Sequence, residues 1–206
     1  MSEVTRSHEA TSAAEAAGVD RARGSLSTAT WAILLGLATE LTLFASLIAT
    51  YFYLRFKDVA WPPDGVPKPE VTLPLVFTGM LLVSTLPVFA SVRAAKGGRV
   101  RIAWWLLAVA AAIQATYLGL QINLFVDDIN KFSPSESAYG SIYFALVGIH
   151  HAHVALGLAL DAWLLGRLMS GLTHYRLLAL RVVALYWYFV AAIAVAVVLT
   201  QLYPSL

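Results

Sequence analysis

The 206-residue chain contains no cysteine, and only 13% of its residues are charged. Without cysteine, disulfide scaffolds, thiolate metal sites, iron–sulfur clusters and thiol nucleophiles are excluded. Soluble domains average roughly 25% charged residues, and the net charge of +2 provides no broad field to attract nucleic acid. Hydrophobic residues reach 59% of the chain. Soluble, disordered and nucleic-acid-binding classes are therefore excluded, and the membrane class remains.

Long apolar runs are the dominant feature of what is present. A transmembrane helix needs about 20 mostly apolar residues, and five such runs occur. They predict an all-α, polytopic membrane bundle with spans at about 30–56, 72–95, 101–126, 138–168 and 178–203. Gly97 and Gly98 predict a tight turn that pairs the second and third spans as a hairpin. Residues 1–29 predict a mobile cytoplasmic tail before a single domain over 30–206.

Lysine and arginine are divided unequally between the two ends of these spans. Ten of them lie in the tail and in the loops at 93–101 and 167–181, and four lie at the other end. Those four are Arg55, Lys57, Lys68 and Lys131. Because cytoplasmic loops carry the excess of basic residues, we expect a cytoplasmic N-terminus and an external C-terminus.

Five ionisable side chains fall inside the spans, where charge is costly and an ionisable group is a functional candidate. They are Glu40, His150, His151, His153 and Asp161. At about 100° per residue, His150, Gly157 and Asp161 lie on one stripe of the fourth span, with His153 about 60° away. The stripe fits a polar seam satisfied by neighbouring helices as well as a functional site. Glu40 similarly fits either an interhelical hydrogen bond or a role in proton relay or ligand binding.

The sequence predicts no redox centre and no catalytic residue of its own. One helix offers at most two or three imidazoles, and without a thiolate or a second histidine-bearing span we expect no metal site. Two haem ligands usually come from two helices, and His8 and His174 are placed outside the spans. Neither a GxSxG elbow nor a glycine-rich phosphate motif occurs.

Three segments resemble subunit III of heme-copper terminal oxidases, in its short bacterial form with five spans. Residues 38–52 (ATELTLFASLIATYF) are similar to a segment that carries the family's membrane-buried carboxylate, at Glu40. The tripeptide at 61–63 is similar to the family's WPP, and residues 139–157 (YGSIYFALVGIHHAHVALG) are similar to its fourth-span motif. Seven residues agree with that motif in both type and spacing: Gly140, Ser141, Gly148, His150, His153, Val154 and Gly157.

The chain departs from the family pattern in its third and fifth spans. The sequence YWYFVA at 186–191 stands where the family has YWHFVD, and Tyr117 follows Gln114 where the family has a glutamate. Asp161 matches no position of the family pattern. Roles that rest on the missing groups are therefore not carried over to this chain.

The resemblance implies an accessory subunit without redox cofactors, in the cytoplasmic (inner) membrane of an aerobically respiring bacterium. In the family, subunit III packs against catalytic subunit I, which holds the hemes and copper of the proton-pumping oxidase. It also binds phospholipid in a cleft, and supports proton uptake and the stability of subunit I. Lining that cleft or supporting proton uptake would be the task of Glu40, His150 and His153. Structural motif residues would be Trp61, Pro62, Gly148 and Gly157.

Two alternatives remain open. The first is the equivalent accessory subunit of a quinol oxidase or a nitric oxide reductase. The second is a small proton-coupled transporter that uses Glu40, His153 and Asp161 as a relay. A transporter predicts proton flux from the purified chain in liposomes, whereas an oxidase subunit predicts co-purification with a heme-bearing chain.

Overall fold

In a computed structural model, five long helices make up the regular structure of the residues described below. The structure describes residues 28–58, 60–67, 70, 72–171 and 173–202, and no strand occurs among them. The helices are α1 (Thr28–Lys57), α2 (Thr72–Lys96), α3 (Val100–Lys131), α4 (Ala138–Leu168) and α5 (His174–Leu202). Each is long and apolar enough to cross a membrane. The predicted all-α fold with five spans is confirmed.

The helix ends differ from the predicted spans where polar residues continue a helix. The predicted third span ends at 126, but α3 runs on to Lys131. The predicted fifth span begins at 178, but α5 begins at His174, which we expected outside the spans. The hydroxyl of Thr173 accepts a hydrogen bond from the Arg176 N–H at 3.3 Å and satisfies a free donor of that helix end. Residues 1–27 of the predicted tail, Lys68 and the predicted last residue of the fifth span, 203, lie outside the described residues.

Helices α2 to α5 pack as a four-membered ring: each contacts the next along the chain, and α5 closes the ring by contacting α2. Leu81, Leu107, Leu164 and Leu180, one from each helix, are fully buried in a common core. These four leucines form an apolar part of the interior of the ring.

The hairpin of α2 and α3 forms as predicted, around a turn in which Gly98 adopts a φ of 73°. Residues with a side chain rarely adopt this φ, which explains the glycine. Small residues bring the two helices close, and the Ser91 hydroxyl donates to the backbone oxygen of Ala103 at 2.8 Å.

Helix α1, from Gly36 onward, packs against the rest of the chain through one narrow face. Phe44 and Tyr51 are the only buried residues among 36–57, and they are two helical turns apart. Phe44 joins an apolar cluster with Leu146 of α4 and residues of α5. The remaining faces of this part of α1 are left for lipid or for another chain. Glu40 lies on the packed face, one turn before Phe44.

Candidate functional site

The first polar site joins α1 to α4. The Nε2 atom of His153 lies 3.0 Å from Oε2 of Glu40, and its Nδ1 atom lies 2.8 Å from the backbone oxygen of Ile149. The ring of Phe44 meets that of His153 edge to face, with the centroids 5.2 Å apart. The hydroxyl of Tyr186, from α5, donates to the backbone oxygen of His153 at 2.8 Å. Contacts from α1 and α4 therefore fix this imidazole, and α5 holds the backbone of the same residue.

The two hydrogen bonds of His153 determine where protons lie in this pair. A backbone oxygen only accepts, so Nδ1 of His153 carries a hydrogen. A neutral ring then has an accepting Nε2, and Glu40 must be a protonated carboxyl group that donates to it. A charged ring instead donates from Nε2 to a Glu40 carboxylate. In both states one proton lies between Nε2 and Oε2, and the pair is neutral as a whole.

His150 belongs to a different cluster, although it lies one turn from His153. Its Nε2 atom lies 3.1 Å from the hydroxyl of Tyr117 in α3, and the Gln121 amide donates to that hydroxyl at 3.4 Å. His150 is 3% exposed, and its Nδ1 atom has no hydrogen-bond partner. The neighbouring His151 packs edge-on against Phe125. The structure therefore separates His150 from Glu40 and His153.

A third polar cluster lies around Asp161, which is fully buried. The indole N–H of Trp187 donates to its Oδ2 atom at 3.0 Å. With the Gln114 amide oriented by its hydrogen-bonding neighbours, its nitrogen donates to the same oxygen at 2.9 Å and its oxygen lies 3.3 Å from the Ser84 hydroxyl. Residues from α2, α3, α4 and α5 thus meet at one point, and Oδ1 of Asp161 has no partner.

The stripe predicted on α4 is buried as a unit: His150, Gly157 and Asp161 all face the interior. Gly157 is a point of close approach, since a Cβ atom there would lie 2.7 Å from the ring of Trp187. At Gly148 the packing is less close, because a Cβ atom there would lie 3.5 Å from the ring of Phe125, which is an ordinary van der Waals distance.

Sequence reasoning missed the partners of this stripe. Gln114, Tyr117 and Gln121 lie at i, i+3 and i+7 of α3, all buried. The same helical spacing test that marked α4 would have marked these three residues, because they too share one face.

The two remaining motifs hold the loops at one end of the bundle. Trp61 is buried and packs edge-on against Tyr51 of α1 and Tyr139 of α4, with centroids 5.4 and 5.1 Å away. At the start of α4, a Cβ atom on Gly140 would lie 2.6 Å from the backbone oxygen of Ser133. The Ser141 hydroxyl donates to the Pro134 oxygen at 2.7 Å. These contacts join the two motifs to neighbouring residues at this end of the bundle.

Among the described residues, no group of three or more His, Cys, Asp or Glu side chains could hold a metal ion. The three polar clusters contain hydrogen-bonded side chains from several helices rather than a set of convergent ligands. Their geometry suits structural pairing and the holding of protons.

Comparison of the sequence with known proteins identifies the family of this chain. Residues 17–204 match the family model of cytochrome c oxidase subunit III. The cytochrome bo(3) ubiquinol oxidase subunit 3 of Pseudomonas aeruginosa is 35% identical over 167 residues, covering 78% of this chain and 78% of that protein. The cytochrome c oxidase subunit 3 of Bacillus subtilis is 34% identical, and that species' quinol oxidase subunit 3 is 30% identical. The alignment with the Bacillus subtilis cytochrome c oxidase subunit covers 75% of each chain. The alignment with the quinol oxidase subunit covers 74% of this chain and 76% of that protein.

Proposed function

The chain belongs to the cytochrome c oxidase subunit III family, whose members are non-redox subunits of heme-copper oxidases, and we propose that it binds catalytic subunit I of a proton-pumping oxidase. The observation that carries this proposal is the family match over almost the whole chain, combined with five membrane-spanning helices. The chain is a multi-pass membrane protein, and the bacterial relatives support a cytoplasmic membrane as its location.

Seven basic side chains and no acidic one lie at 93–101 and 167–181, the two turns with their flanking helix ends (the basic loops), and all seven are within the described part of the chain. The opposite end carries acidic residues, such as Asp64 and Asp128. This asymmetry supports our proposal that the α2–α3 and α4–α5 turns face the cytoplasm.

The Glu40–His153 pair supports a contact with subunit I or with phospholipid at α1. The Glu40 side chain remains 39% exposed and that of His153 14% exposed, near the middle of their helices. A carboxyl group exposed at this depth is costly against acyl chains alone. We therefore propose that the assembled complex covers Glu40, and that the shared proton of the pair supports proton uptake by subunit I. We do not extend this role to His150, which is buried in a separate cluster with Tyr117.

The relatives include both cytochrome c oxidase and quinol oxidase subunits at 30–35% identity. The proposed role is shared by the two oxidase classes, because an accessory subunit of this kind acts on the heme-bearing chain rather than on the electron donor.

Affinity purification of the tagged chain from native membranes in mild detergent tests the proposal. We expect a heme-bearing chain to co-purify, and the Soret band to stay with that chain when the two are separated. A Soret band retained by the isolated chain would falsify the proposal. Proton flux from the pure chain in liposomes would favour the transporter alternative instead.

Replacing Glu40 separates the structural role of the pair from its proposed proton role. In Glu40→Gln, the amide nitrogen can donate to Nε2 of a neutral His153, so we expect the subunit to be retained as in the wild type. In Glu40→Ala this hydrogen bond is lost, at a cost of about 1 kcal/mol. Subunit retention is measured by heating the purified oxidase and quantifying the bound chain.

A role in proton uptake predicts that Glu40→Gln shortens the turnover lifetime of the oxidase, because an amide cannot release the shared proton. The measurement is oxygen consumption followed until the enzyme inactivates. A wild-type lifetime in Glu40→Gln, together with a shortened one in Glu40→Ala, would show that the pair acts only as a structural contact.

A further inference from the structure

A small polar cavity of about 40 Å³ lies inside the chain, between α3, α4 and α5. At mid-depth it is lined by Tyr117 and His150, and at the helix ends by Glu70 and Lys131. His150 is the thirteenth residue of α4, so at 1.5 Å per residue it lies about 18 Å from the start of that helix. The residues that line the cavity therefore extend from the middle of the bundle to one of its ends.

The chemistry of the lining identifies the occupant as water. A buried water needs roughly 10–15 Å³ of such space and two to four polar partners, so this cavity has room for about three or four waters. It is too small for a lipid chain or a quinone. Besides His150, the titratable residues on its wall are Glu70, Tyr117, Asp128, Lys131, Tyr143 and His151.

The unpaired Nδ1 atom of His150 is a second and independent observation. The atom is buried and has no partner among the described residues, although buried polar groups are normally hydrogen-bonded. The other ring nitrogen already meets Tyr117. A water at the His150 end of the cavity would supply the missing partner.

The polar path stops at His150. One turn further along α4, Val154 is fully buried in the apolar core, and Gly157 is closed off by the ring of Trp187. In the described part of the chain, no hydrogen bond joins the Tyr117–His150 cluster to the Asp161 cluster. The end that carries the basic loops therefore has no polar connection to His150.

We propose that this cavity is a one-sided water inlet, which opens at the end carrying the α3–α4 loop and gives His150 proton exchange with the aqueous phase at that end only. This inference goes beyond the proposed function, because it concerns the interior of this chain and no partner subunit. Proton exchange by His150 would then take place with the aqueous phase on the side opposite the basic loops.

Single-cysteine accessibility tests the inlet cleanly, because the chain has no cysteine of its own. Ala194→Cys places a thiol on the cavity wall. Ala191→Cys is the matched control, on the same helix and equally buried (3% against 1% exposed), but off the wall. Silver ions, which are small enough to enter a water-filled space, are added to membrane vesicles. Thiols still free are alkylated after denaturation, and the mass of the isolated chain reports them.

We expect silver to block the Ala194→Cys thiol at least about tenfold faster than the Ala191→Cys thiol, which is reached only through local opening. Blocking should occur only from the side of the α3–α4 loop. Ser135→Cys and Ser170→Cys, exposed at opposite ends of the bundle, mark the two sides of each vesicle preparation.

Equal rates for the two alanine variants, or blocking from the Ser170 side, would overturn the proposal. If Ala194→Cys does not accumulate in the membrane, Val198→Cys on the wall and Val190→Cys off it provide the same comparison. The readout needs neither oxidase activity nor co-purification, so failure of the inlet and failure of the proposed function are distinguishable.

Discussion

Asp161→Ala is expected to destabilise the chain by about 2–4 kcal/mol, because it leaves two buried donors without an acceptor. Both the Trp187 indole N–H and the Gln114 amide donate to the same carboxyl oxygen, in a fully buried position. We expect the thermal midpoint of the purified oxidase subunit to fall by roughly 5–15 °C. The measurement is the temperature at which this chain unfolds or leaves the complex.

The matched control is Asp161→Asn, which keeps an accepting oxygen for Trp187 and Gln114 and has nearly the same shape. We expect it to cost less than half as much as the alanine variant. If asparagine and alanine are equally destabilising, the carboxyl group is engaged in an interaction other than these two hydrogen bonds.

Gly157→Ala is the second change for which we expect a large effect. The added Cβ would lie 2.7 Å from Cζ2 of Trp187 and 3.0 Å from two more ring atoms, so the indole must shift. Overpacking of this kind costs about 1–3 kcal/mol. The shift also disturbs the bond from the indole to Asp161. Thermal unfolding of the assembled subunit measures the loss.

Gly166→Ala provides the control on the same helix, since a Cβ atom there meets nothing within 4 Å. Alanine is the better helix former by about 1 kcal/mol, so we expect this variant to be neutral or slightly stabilising. The two glycine variants should therefore differ in sign. A stabilising Gly157→Ala would contradict the close packing of α4 on Trp187.

The double variant Gly157→Ala/Asp161→Ala adds a test of coupling. Both changes act through the position of Trp187, and residues that share a partner are not additive. We expect the double variant to cost less than the sum of the single variants.

The sequence was sufficient to predict the five helices, because apolar runs of this length have few other stable structures. At the end of α3 and at the start of α5 the helix extends beyond the predicted span, through polar residues that hydropathy does not detect. Asp128 shows why the extension is stable, since its Oδ2 atom accepts a 2.6 Å hydrogen bond from the Tyr143 hydroxyl of α4.

The candidate site was predictable within a helix but not between helices. Helical spacing placed His150, Gly157 and Asp161 on one stripe, and the structure buries all three. The spacing did not reveal that His153 meets Glu40 while His150 meets Tyr117. These pairings depend on how the helices are rotated against one another, which is determined by packing over many residues.

The pairing of Glu40 with His153 has a consequence for the biogenesis of the chain. The two residues are 113 positions apart in the sequence. At about 5–20 residues per second, synthesis of the intervening chain takes roughly 6–23 seconds. During that interval α1 resides in the bilayer with a carboxyl group whose histidine has not yet been made, and whose packing partners on α4 and α5 are also missing. Helix α1 therefore acquires its contacts with α4 only after most of the chain has been made, and until then Glu40 lacks its partner.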